Sequence, residues 1–181
     1  VTLFAIIDVK NKDDYSSDEI CKLSVLSRTT GSGVLQGGIQ SLVPLKCTTQ
    51  KICVTEDGEC DQLGGEKVET IKLKGTTAEK ARMIEEVNAK EMYRCWQMMG
   101  EGKLDLFGGI KTEAEQKLLG KVQSACFVCS RIAIDDSVKA DVFSETNVNE
   151  YLRKNQVPDG SLTYLQAFTD RSVNSYSTFD Q

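Results

Sequence analysis

The chain has 181 residues, 40% of them hydrophobic, with 22 lysines and arginines against 27 aspartates and glutamates for a net charge of −5. A chain of this length buries roughly two thirds of its unfolded surface and builds a core without needing disulfides merely to fold. There is no histidine, which removes Ser-His and Cys-His nucleophile pairs, histidine general bases and histidine metal ligands.

The first seven residues, Val1 to Ile7, form an apolar run that turns polar at Asp8. They are too few to span a bilayer, which takes about 20 apolar residues. Their β-branched content predicts a buried first strand; the other reading, over residues 1–9, is the outer end of an anchor segment. Ser17, followed by Asp18 and Glu19, predicts the cap of a helix running to about Arg28. Residues 29–40 are rich in glycine and small polar side chains and predict a loop. Residues 41–47 and 51–54 read as short extended segments. Asp57-Gly58 between Cys53 and Cys60 predicts a hairpin turn, and the alternation over 67–74 predicts a strand.

Thr76-Thr77-Ala78-Glu79 is a capping box, and no glycine or proline interrupts the chain from there to Met99. A long helix over about 77–99 is expected, with Ala81, Ile84, Met92, Cys95 and Met99 on its apolar face and Glu85, Glu86 and Glu91 on a solvated one. Gly100 and Gly102 predict its stop, a simpler reading of Gly-Glu-Gly-Lys than a phosphate loop, which would follow a strand. A second capping box, Thr112 to Glu115, predicts a shorter helix toward Val122. Residues 125–134 read as the strongest strand, with Cys126, Val128, Ile132 and Ile134 on one face and Phe127, Cys129 and Ala133 on the other. Asn147 predicts the cap of a helix through Lys154; Pro158-Asp159-Gly160 predicts a turn, and 162–168 a helical turn. The expectation is a single α+β domain over 1–170, its small mixed or antiparallel sheet packed on one long helix and several short ones, with a flexible tail at 171–181.

Seven cysteines lie at Cys21, Cys47, Cys53, Cys60, Cys95, Cys126 and Cys129. Cys47, Cys53 and Cys60 sit in turn-rich segments with charged neighbours, where free thiols would be oxidisable and disulfides would brace loops that have no core of their own. Three bridges and one leftover thiol are expected. Cys53 and Cys60 flank a turn and are expected to pair across it. Cys95 is expected to bond Cys126, and Cys21 to bond Cys47 or Cys129.

Two alternatives keep chemistry in the thiols. Cys126-x-x-Cys129 has the spacing of a redox pair, but inside a predicted strand no helix dipole would stabilise a thiolate. A zinc site would need four cysteines, with Cys47, Cys53, Cys126 and Cys129 as the set, although the first spacing is wider than usual. Asp135-Asp136 at a strand end is a weak candidate for a hard cation. Trp96, Met98 and Met99 occupy more than one face of the helix end and are the candidate partner surface. No catalytic residue, cofactor or small-molecule substrate is indicated, and no basic block marks a nucleic-acid footprint.

The segments Cys21–Arg28, Pro44–Cys53, Tyr93–Phe107 and Cys126–Ile132 resemble a set found in uncharacterised archaeal single-pass membrane proteins that carry a cysteine-containing domain outside the membrane. The resemblance spans roughly residues 20 to 170. It implies a membrane anchor before Val1 and a domain outside the membrane, and the expected function is accordingly a non-enzymatic extracellular or cell-surface domain, structural or protein-binding, engaging a protein partner or its own copies. It implies no activity.

Overall fold

The structure, a computed structural model, describes residues 16–30, 45–63, 67–104, 127–158 and 160–169. The expected first strand at 1–7, the helix from Thr112 to Val122 and the tail at 171–181 lie outside these residues. The elements in chain order are α1 (Ser17–Thr30), β1 (Gln50–Thr55), β2 (Val68–Lys72), α2 (Thr77–Met98), β3 (Ser130–Ile134), α3 (Ala140–Glu145), α4 (Val148–Lys154) and α5 (Tyr164–Phe168).

The mixture of helices and one small sheet was expected; the strand directions were not. All three strands are parallel, in the order β2-β1-β3. The Asp57-Gly58 turn is real, with Gly58 at φ +101° and the Asp57 carboxylate accepting from the Glu59 amide at 3.0 Å. It does not make a hairpin, because the chain runs back past β1 before pairing, Lys51 beside Val68 and Thr55 beside Lys72. A parallel return needs a crossover of about a dozen residues, and residues 56–67 supply it. Turn chemistry reports a local bend and carries no information on which direction the next strand will take.

β1 is the central strand, and its last four residues, Ile52 to Thr55, are all buried. Alternation sends Ile52 and Val54 to one face, where Leu73, Ala81 and Ile84 of the β2–α2 region and Val138 and Val142 near α3 complete the main core. Cys53 and Thr55 point the other way, and the loop after β1 is drawn over that face by the bond from Cys53 to Cys60.

α2 starts where expected. Thr76 accepts from the Glu79 amide while Glu79 reaches back to the Thr76 amide, a complete capping box. Its end is a Schellman motif: the Gly100 amide donates to Gln97 and the Glu101 amide to Trp96, at 3.2 and 2.9 Å, with Gly100 at φ +82°. The C-cap reading of Gly-Glu-Gly-Lys is therefore the observed one.

The buried face of α2 departs from expectation. Met92 is 45% exposed, while Glu91 is buried. The helix serves three clusters in turn: Ala81 and Ile84 face the sheet, Ala89 faces α4 and α5, and Met98 with Cys95 and Met99 faces α1. A stripe that changes partner along its length does not follow one hydrophobic face. β3 is also shorter than the predicted strand. Pairing begins with Ser130 beside Gln50, and Val128, expected on the strand beside Ile132 and Ile134, lies before it and is 57% exposed. α1 begins one residue early, because Ser16 and not Ser17 is the cap: Ser16 Oγ accepts from the Glu19 amide, and the Ser16 amide donates to Glu19.

Candidate functional site

Six cysteines among the described residues form three disulfides: Cys21–Cys47, Cys53–Cys60 and Cys95–Cys129, with Cα separations of 4.4, 6.3 and 5.6 Å. The turn-closing pair is as expected, and Cys21 takes the first of its two expected partners. Cys95 is bonded to Cys129 rather than to Cys126, which lies outside the described residues. Cys129 stands just before β3, its carbonyl accepting from the Gln50 amide at 2.9 Å, and its side chain is bonded to Cys95 of α2.

This pairing has consequences for the thiol chemistries. Cys129 is joined to a different element and not to its C-x-x-C neighbour. Three of the four cysteines in the zinc set are bonded elsewhere, and among the described residues no group of three or more cysteines and carboxylates is placed to hold a metal ion.

Two of the bridges lie in one place. Cys21, Val25, Met98 and Cys129 are buried together, with Leu45, Cys47, Cys95, Met99 and Leu104 packed around them. α1 is fastened there by further bonds. Arg94 of α2 holds Asp18 through two nitrogens at 2.6 Å and Glu91 at 2.9 Å, and the ion pairing raises its already high pKa, chiefly through Asp18. This explains the burial of Glu91, which is a structural partner rather than part of a solvated face. Ser24 Oγ accepts from the Lys46 amide at 3.0 Å, and the Ser17 and Thr48 hydroxyls are hydrogen-bonded.

The proposed partner surface is divided by the fold. Met98 is buried and Met99 partly so, both against the cystines. Trp96 turns to the other side of α2, stacking on Tyr93 at 5.6 Å between centroids and meeting Phe168 of α5 edge-on at 5.9 Å. Tyr93 and Trp96 are three residues apart on the helix and so share a face. A groove of about 780 Å³ opens beside them, with Phe168 and Leu162 on its apolar side and Lys103 and Gln166 among its polar groups. Its volume falls within the range of ligand clefts. Tyr164 is buried against the Tyr93 and Phe168 rings, and burial pushes the Tyr164 and Tyr151 hydroxyls to higher pKa. Sequence reading named Trp96 but missed Tyr93 and Phe168, and an aromatic recurring at i and i+3 was the available signal for the first.

A second polar group lies at the carboxyl ends of the strands, the position where open parallel sheets often bind ligands. Here the groups bond one another. The fully buried Thr55 hydroxyl donates to Asp57 at 2.6 Å and meets the Ser137 hydroxyl at 3.1 Å. Lys80 pairs with Glu56 at 2.6 Å. These contacts hold both carboxyls below their ordinary pKa, Glu56 chiefly through the Lys80 hydrogen bond and Asp57 chiefly through that of Thr55. Asp135, a cation candidate in the sequence, accepts from the Ser137 amide at 2.9 Å and shapes the turn after β3. The arrangement latches the β1 and β3 loops together.

Among the described residues no helix is long and apolar enough to cross a membrane. Comparison with protein-family models, with curated proteins and with solved structures finds no match to the chain.

Proposed function

We propose that this chain is the extracytoplasmic domain of a membrane-anchored cell-surface or envelope protein, non-enzymatic and structural or protein-binding, held in shape by its disulfides. The observation that carries the reading is the pairing of six cysteines into three bridges, two joining separate segments and one closing the turn after β1. Such a framework persists in oxidising compartments and is rare where glutathione and thioredoxin keep thiols reduced. The apolar start of the chain and its resemblance to anchored archaeal proteins support the membrane attachment. Of the three partner-surface residues, Trp96 is the one presented to a partner, at the aromatic groove.

The test is alkylation of the native protein without reductant, followed by peptide mass spectrometry. Six cysteines are expected to resist alkylation and to appear as Cys21–Cys47, Cys53–Cys60 and Cys95–Cys129 linked peptides. Alkylation of most thiols in protein taken directly from its cells would overturn the reading.

A further inference from the structure

We infer that α1 is a redox-held flap, tied down by the Cys21–Cys47 cystine over a methionine-lined face of α2 and released when that cystine is reduced. The two clusters that would share the load are built differently. The main core contains Ile52, Val54, Leu73, Ala81, Ile84, Val138 and Val142, with no cystine among its buried members. Beneath α1, two of the four buried residues are cystine halves, Cys21 and Cys129; the other two are Val25 and Met98, with Leu45, Met99 and Leu104 partly buried around them. Reduction of Cys21–Cys47 therefore removes the covalent link of α1 where fewer fully buried apolar side chains stand in for it than in the main core. α1 has 14 residues, a length at which an isolated helix is marginal in water.

The bonds are placed for attack from solvent. Cys21 is 1% exposed and Cys129 8%, whereas Cys47 and Cys95 are partly exposed, so each buried half has an accessible partner. A thiolate of a dithiol reductant attacks Cys47 Sγ; the bond to Cys21 Sγ breaks, and Cys21 leaves as a thiolate that takes a proton. The second thiol of the reductant then closes on the first, freeing Cys47 and leaving the reductant as a disulfide. The same exchange at Cys95 frees Cys129. Two electrons and two protons pass to each cystine. With α1 released, Met98, which packs against Cys21 and Val25, loses part of its cover. What then holds α1 is non-covalent: the Arg94–Asp18 ion pair, which lies partly in solvent, the bonds of Ser24 to the Lys46 amide and of Ser17 to Thr48, and the packing on Met98. Partly solvated pairs of this kind contribute little each.

Hydrogen exchange read by mass spectrometry on the intact chain, with and without dithiothreitol, tests this. Amides of residues 17–30 are expected to lose protection by tenfold or more on reduction, while those of 50–55 and 77–90 keep theirs. A Cys21→Ser/Cys47→Ser variant is expected to loosen 17–30 without any reductant, and Cys53→Ser/Cys60→Ser to leave that segment unchanged. Unchanged protection of 17–30, or its loss together with the sheet, would refute the flap. Failure to find the Cys21–Cys47 peptide in native protein sinks both this inference and the proposed compartment. Its presence with unchanged exchange sinks the flap alone.

Discussion

Arg94 is the residue on which the α1 contact turns in the oxidised protein, because it satisfies a buried carboxylate and a half-exposed one together. Arg94→Ala leaves Glu91 buried without its cation, and a cost of about 1–3 kcal/mol is expected, below that of a fully buried pair because Asp18 reaches water. Urea unfolding of Arg94→Ala, Asp18→Asn and the double variant measures it, with a non-additive cycle expected between the two sites. Gly100 is the other single residue with a defined role. At φ +82° it closes the Schellman motif, and a Cβ there would also press on the Leu104 side chain. Gly100→Ala should cost about 1–2 kcal/mol, seen as a lower urea midpoint with an unchanged m-value. Both roles differ in legibility. Gly100 was readable because a glycine after an uninterrupted helix has few other uses, whereas Glu91 looked solvated because its partner's second anion comes from a helix more than 70 residues away.

At the scale of the element, α2 shows how one helix is read differently by three neighbours. Ile84 is 2% exposed in the sheet-facing core and Met92 is 45% exposed, although a single apolar stripe would bury both. Ile84→Ala should therefore cost about 2–5 kcal/mol, while Met92→Ala stays within about 0.5 kcal/mol; equal costs would restore the simple stripe. Thermal unfolding of the two variants side by side decides it. The helix start is independent of this packing. Thr76→Ala removes the side chain that accepts from the Glu79 amide, and a loss of about 1 kcal/mol is expected from the same measurement. The strands carry the reverse lesson. β1 and β3 were expected as extended segments, yet their parallel pairing is a property of the connections and not of either strand.

For the whole molecule, charge linkage sets the pH range of stability. Glu56, Glu79 and Glu150 are held below the ordinary 4.5 by Lys80, by the Thr76 amide and by Lys154 respectively. The folded state thus keeps these carboxylates ionised more firmly than the unfolded chain does. Their contribution is fully present above pH 4.5 and is lost as pH falls through the lower folded values. Tyr151 and Tyr164 act at the other end. Burial raises them above 10.0, so their contribution is present below that pH and lost as pH rises through the folded values. A melting-temperature profile should fall on the acid side below about pH 4.5 and again on the alkaline side above about pH 10. A flat acid limb would show that these contacts are not kept in solution. The disulfides set the remaining frame: Cys21–Cys47 and Cys95–Cys129 span 26 and 34 residues, and each adds on the order of 3 kcal/mol by restricting the unfolded chain.

By itself the sequence determined what depends on neighbours along the chain. The Thr76 capping box, the Gly100 stop, the Asn147 cap and the Cys53–Cys60 closure are set within a few residues, where local geometry leaves few choices. It also determined the exclusion of histidine chemistry. Only the tertiary structure decided that the three strands run parallel, that Cys95 bonds Cys129, that Glu91 is buried in place of Met92, and that Trp96 and Met98 serve opposite sides of α2. Each of these joins residues tens of positions apart, and the choice among such partners is made by which surfaces the packed elements bring together.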